Sequence, residues 1–202
     1  MAELKDSYLT IAEPAEAIYK ERSSKFLTYA YPVESEEEIK LLLDALRKEY
    51  YDATHHCYAY RLGPQGEVFR ANDDGEPSGT AGKPILGQLL SAELTNCLVV
   101  VVRYFGGTKL GVSGLIQAYK ESTAEVIAVS KVIEKTVDRV IKVAFSYISM
   151  NGVMRVIKEM SPRIDEQIFD NLCTMRLRIR ESEVDILIAK LEKVEGVTVE
   201  SI

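Results

Sequence analysis

Apolar residues alternate with polar ones in some stretches of this chain and recur at helical spacing in others, and the two patterns divide it into elements. Residues 7–12 and 25–33 read as strands, the second rich in Phe, Tyr and Val. Ile39, Leu42, Leu43 and Leu46 then repeat at a spacing of three to four. Ser35 stands before them as an N-cap, and Glu36, Glu37 and Glu38 put negative charge at the positive end of the dipole. Residues 35–49 are thus expected to form an amphipathic helix with an acidic start. Residues 57–62 and 67–71 predict a strand pair around the turn Gly63-Pro64-Gln65-Gly66. Pro84 suits the first position of a helix, and Ile85, Leu86, Leu89 and Leu90 supply its apolar stripe. Residues 97–102 are continuously apolar, as in a strand buried on both faces. A helix over 114–130 completes a mixed α/β part.

The remaining chain has a simpler rhythm. Residues 137–147 alternate like a strand, 151–160 carry Val153, Val156 and Ile157 at helical spacing, and Ser161-Pro162 ends that helix. Residues 165–170 and 172–180 predict a hairpin, 181–194 a helix ended by Gly196, and 197–202 a last strand. The order β-α-β-β-α-β is the ferredoxin-like one. A boundary falls near 131–137, giving domains 1–134 and 135–202. Charge divides there as well. Residues 1–134 hold 14 Lys+Arg against 20 Asp+Glu, and residues 135–202 hold 11 of each, so the net −6 belongs entirely to the first part.

The composition of the 202 residues, 47% hydrophobic and 28% charged, is that of a globular chain and excludes a collagen-like or disordered one. The negative balance argues against a surface wholly given to nucleic acid, though not against a local basic patch. No stretch approaches the roughly 20 apolar residues of a membrane span. The start, MAELKDSYLT, has no basic or apolar region of a secretory signal. Three cysteines make no disulfide framework. A cytoplasmic protein with reduced thiols and no membrane partner is expected.

Two loops can carry chemistry. The first runs Asn72-Asp73-Asp74-Gly75-Glu76-Pro77-Ser78-Gly79-Thr80-Ala81-Gly82-Lys83-Pro84. Glycines ahead of a helix can turn backbone N–H groups toward an anion. Ser78, Gly79, Thr80, Gly82 and Lys83 are therefore candidate phosphate contacts. The loop is not a P-loop, because Pro77 stands where the first Gly belongs and Pro84 replaces the hydroxyl residue. Asp73, Asp74 and Glu76 could together hold a hard cation such as Mg²⁺, or simply form a solvated turn. The second loop runs from Arg103 to Gly114 at the end of the buried strand. Arg103 and Lys109 offer cations, Tyr104 and Phe105 stacking faces, and Gly106 and Gly107 close backbone approach, a set that suits phosphate or a base. It is no dinucleotide fingerprint.

His55 and Cys57 share a strand face and His56 points the other way. Zinc needs about four converging ligands, and no local motif supplies them or a thiolate nucleophile. A structural role is expected, with no metal site and no catalytic residue assigned. Arg176, Arg178 and Arg180 alternate with Leu177 and Ile179, so they line one strand face as a second basic surface.

Three strings occur in order: Thr54-His55-His56-Cys57-Tyr58-Ala59-Tyr60-Arg61, then Asp73 to Pro84 as given above, then Val102-Arg103-Tyr104-Phe105-Gly106-Gly107. Together they resemble the IMPACT family, and within it the bacterial YigZ-like branch. The resemblance implies an N-terminal domain like domain 2 of ribosomal protein S5. It also implies a C-terminal ferredoxin-like domain similar to the last domain of elongation factor G. Eukaryotic members regulate translation initiation through a starvation-kinase activator, a mechanism not carried over to this chain. One departure is visible: the family's Gly-x-Gly-Gly-Leu-x-Arg-Ala-Tyr reads here Gly111-Val112-Ser113-Gly114-Leu115-Ile116-Gln117-Ala118-Tyr119, with Gln117 in place of arginine.

The expected function is translation-linked regulation, without catalysis, by binding RNA or the ribosome through the cationic glycine loops. No cofactor is expected. One alternative is a small metal-dependent, phosphate-handling enzyme, to which alone Mg²⁺ at the acidic loop would belong. Another is an adaptor that binds a protein partner through the acidic helix.

Overall fold

The structure, a computed structural model, describes residues 6–202. It divides into two compact units, one of residues 8–135 and the other of residues 136–202 together with residues 6 and 7.

The first unit is built on a five-stranded antiparallel sheet. Its strands are β2 (Ala15–Glu21), β3 (Ser24–Pro32), β4 (His55–Leu62), β5 (Val68–Asn72) and β6 (Cys97–Tyr104), in the order β2-β3-β6-β4-β5. Strands β1 (Ser7–Ile11) and β7 (Val132–Thr136) form a separate ribbon. Helix α1 (Glu36–Glu49) covers one face of the sheet, while α2 (Gly82–Ser91) and α3 (Gly111–Val129) cover the other. The central strand β6 feeds both cores. Val99 and Val101 pack with Ile85, Leu89 and Tyr119, and Leu98, Val100 and Val102 pack with Ile39, Leu43 and Leu46. A strand between two helical layers cannot alternate polar and apolar, hence the unbroken apolar run. The Ser35 hydroxyl caps α1 by accepting from the Glu38 amide at 3.2 Å, and the Glu38 carboxylate accepts from the Glu34 amide at 2.8 Å.

Strand β2 is absent from the sequence reading, and its turn explains why. Arg22 and Ser23 are the whole connection to β3, and both have positive φ, 43° and 68°. Two-residue hairpins of this kind normally declare themselves by Asn-Gly or Asp-Gly. Here Arg-Ser adopts the same conformation unannounced.

The second unit has the predicted β-α-β-β-α-β order: β8 (Asp138–Phe145), α4 (Met150–Met160), β9 (Arg163–Ile168), β10 (Cys173–Arg180), α5 (Val184–Leu191) and β11 (Val197–Ser201). The sheet runs β11-β8-β10-β9, the ferredoxin-like arrangement, with neighbours antiparallel. One face of the sheet packs on both helices through Ile141, Met175, Leu177, Val153 and Leu187. Boundaries differ from the sequence reading by a few residues. The strand expected over 137–147 is β8 with β7 ahead of it, the hairpin strand expected over 165–170 is β9 at 163–168, and the helix expected from 181 begins with a single 3₁₀ turn before α5. Ser161 ends α4 in the left-handed region at φ 50°.

Candidate functional site

The site lies where β4 begins and β6 ends, beside the loop that joins β5 to α2. Register places His55 opposite Arg103 across β4 and β6. The first glycine loop folds over them. Its centre is Glu76, whose side chain is only 4% exposed. Arg103 donates to Glu76 Oε1 at 2.5 Å and Tyr119 of α3 donates to the same oxygen at 2.8 Å. The Tyr119 hydroxyl in turn accepts from the Cys57 thiol at 3.3 Å, and Cys57 also reaches the Asp73 carbonyl at 3.0 Å. The Arg103 guanidinium lies between the Phe26 and Phe105 rings, 5.5 and 5.7 Å from their centroids. The result is a buried chain of polar groups that hydrogen-bond one another.

His55 completes the cluster. Its Nδ1 is 2.8 Å from the Asp74 carbonyl, which can only accept, so Nδ1 carries a proton and donates. In the neutral form of the ring, Nε2 then carries the lone pair; it lies 3.8 Å from Glu76 Oε1. Above these groups opens a cavity of about 400 Å³, lined by Phe105, Leu110, Val112, Leu115, Pro77 and Lys109 as well as the polar cluster. Its size is that of a small-ligand site. Pro77 belongs to the first glycine loop and Lys109 to the second, so the two loops converge.

Of the loop residues expected to face phosphate, Gly79, Thr80 and Gly82 have found partners within the loop. Asp73 accepts from the backbone amides of Gly79 at 2.8 Å, Ala81 at 3.0 Å and Gly82 at 2.8 Å. Its carboxylate thus occupies the place that the sequence reading gives to an anion. Burial pushes the Asp73 carboxyl up, but the three amides outweigh it and hold it below its ordinary value. The Thr80 hydroxyl donates to the Pro77 carbonyl at 2.7 Å, while Ser78 and Lys83 are exposed.

The three acids of this loop do not converge. Asp73 is held by amides, Asp74 accepts from the His56 amide at 2.7 Å, and Glu76 is held by Arg103. Among the described residues no three His, Cys, Asp or Glu side chains are grouped as a cation would require. Arg103, expected to meet phosphate, is instead the buried partner of Glu76. Gly106 is packed so tightly that a Cβ there would lie 2.1 Å from the Ser23 carbonyl carbon, whereas Gly107, at φ 85°, has open space.

His55 and Cys57 share the face that bears Glu76, and His56 lies on the other. Burial pushes the Cys57 thiol and the Tyr119 hydroxyl far up, so both stay protonated and neither is a nucleophile at neutral pH. Burial likewise pushes the His56 imidazole below its ordinary value. The sequence reading gave no role to Tyr119, although it closes the family string after Gln117. Gln117 itself donates to Glu121 at 2.6 Å on the exposed side of α3.

Arg176, Arg178 and Arg180 do share the open face of β10, but each meets an acid. Arg176 is 3.7 Å from Glu166, Arg178 is 2.8 Å from Asp165, and Arg180 grips Asp6 with two bonds of 2.7 Å. The face carries mixed charge rather than a basic stripe. Among the described residues no helix is long and apolar enough to cross a membrane.

Residues 22–127, more than half of the chain, match the Impact N-terminal domain. The chain belongs to the IMPACT family. It is 37% identical over 153 residues to IMPACT family member YvyE of Bacillus subtilis (strain 168), covering 76% of this chain and 70% of that protein. IMPACT family member YigZ of Escherichia coli (strain K12) is 29% identical over 188 residues, 92% of each chain. The crystal structure of a hypothetical protein covers 98% of both chains at 28% identity with a TM-score of 0.74. Every member of the buried cluster, from Phe26 to Tyr119, falls inside the stretch that matches the Impact N-terminal domain.

Proposed function

We propose that this IMPACT family member is a translation-linked regulatory protein that works by binding RNA, on or off the ribosome, where its two glycine loops meet. Membership of the family supports the link to translation. The observation that carries RNA binding is the convergence of the loops on one cavity with Phe105 and Lys109 at its side. Lys83 and Lys109 are exposed, Lys83 near enough to Asp73 to help hold its carboxyl down, and both present their charge to solvent, where phosphate can meet it. Arg103 holds the site together and is not itself a phosphate contact.

Co-sedimentation with ribosomal subunits, and with RNA stripped of protein, at low and moderate salt tests this. Salt-sensitive binding is the expected result. Replacing Lys83 and Lys109 together by alanine should lower the slope of log affinity against log salt by about 1.5. An unchanged slope would remove both lysines from the reading, and absence of binding to either target at both salts would overturn it.

A further inference from the structure

We propose that the cavity beside Phe105 takes a single unpaired nucleotide whose base bears an amino group, with the base edge against Glu76 and His55 and the phosphate on Lys109. The proposal rests on the reading above only for the source of that nucleotide, which is either an RNA strand or a free mononucleotide.

The chemistry of the floor selects the buried end of the ligand. Both donors to Glu76, Arg103 and Tyr119, use Oε1, which leaves Oε2 without a hydrogen bond among the described residues. His55 is committed through Nδ1, and in its neutral form it presents Nε2 as a second acceptor. Arg103 Nε has no hydrogen-bond partner but is fully buried, so it does not open onto the cavity. The floor therefore asks for a group that carries two N–H donors. An amino group adjoining a ring nitrogen or carbonyl, as on adenine, cytosine and guanine, is such a group. Uracil is not, because its one N–H lies between two carbonyls, and a carbonyl would face an acceptor of the floor. A phosphate is excluded from the floor because Glu76 is already there and its cation is spent. The anionic end must lie outward, where Lys109 is exposed. The walls suit a flat ring, since Phe105 is 48% exposed with one face turned to Arg103, and Val112 and Leu115 are apolar.

Calorimetric titration of the full chain with AMP, CMP, GMP and UMP, and with short homopolymers of A, C and U, tests the assignment. The amino-bearing nucleotides should bind about tenfold more tightly than UMP. Phe105→Ala should weaken all four by about tenfold, and His55→Ala should erase the preference, with circular dichroism confirming that both variants fold. Equal affinity for UMP, or no effect of Phe105→Ala, overturns the proposal. Homopolymers that bind without base preference and regardless of Phe105 leave RNA binding intact and sink the cavity assignment. Mononucleotides that discriminate while homopolymers bind no more tightly uphold the cavity and overturn the RNA reading. No binding of any probe overturns both.

Discussion

The two sheets of this protein treat arginine in opposite ways. In the first unit, helices cover both faces, and β6 has nowhere exposed to put Arg103; the side chain is 6% exposed. In the second unit, helices cover one face only, and Arg176, Arg178 and Arg180 stand on the open one at 49%, 39% and 44%. All four meet carboxylates. What differs is what remains when the partner is removed. An exposed arginine returns to water, so its pair is worth about 0–1 kcal/mol. A buried one is left as an uncompensated charge. Ion pairs that look alike as distances thus differ severalfold in consequence, and the buried pair defines the shape of the site.

The sharpest way to break this comparison is to remove one acid from each setting. Glu76→Ala strands Arg103 and deprives Tyr119 of its acceptor, and should cost about 3–5 kcal/mol in urea unfolding. If it costs no more than an exposed pair, the contrast fails. Next in size is Gly106→Ala, where the new methyl meets the Ser23 backbone and should cost about 3 kcal/mol. Its neighbour Gly107→Ala meets only the strain of a positive φ, about 1 kcal/mol. Equal losses would mean that the loop does not lean on the β2–β3 turn as described. Tyr119→Phe deletes one hydrogen bond to the buried carboxylate and should cost about 2 kcal/mol, without altering the thermal transition of the second unit.

In the second unit, the test is pH. The Arg180 guanidinium and then Ser182, through its side chain and its amide, hold the Asp6 carboxyl down at about 2. A depressed carboxyl stabilises the fold above its unfolded value and loses that contribution as pH falls through the folded one. The stability difference between the protein and Asp6→Asn should therefore be constant above about pH 4 and shrink toward pH 2. A difference that persists to pH 2 would show that Asp6 acts without its charge. Smallest of all, Arg178→Ala should shift stability by under about 1 kcal/mol. A larger loss would place that pair in the class of Arg103.

How much of this was legible before folding depends on how local each signal is. The cap at Ser35, the apolar stripe of α1 and the two-sided burial of β6 were readable because propensity and periodicity act within a few residues. The hairpin turn at Arg22-Ser23 was not, since neither residue type favours positive φ and only the pairing of β2 with β3 enforces it. The glycine loop was recognised as a loop before a helix, yet its amides turned out to serve Asp73 within the loop. A motif made for anions says nothing about whether the anion is a ligand or a carboxylate six to nine residues away.

The amino-acid sequence by itself determined the mixed α/β class, the ferredoxin-like element order of the second unit and membership of the family, because each rests on short-range pattern. Tertiary structure alone decided which charges are buried. Glu76, Arg103 and Tyr119 are up to 43 residues apart and meet only because β6 passes beneath both the loop and α3. Burial is a property of what covers a residue, and covering groups come from elsewhere in the chain. For that reason the sequence could single out Glu76 and Arg103 but could not show that Arg103 points at Glu76 and not at a ligand, nor that Tyr119 joins them.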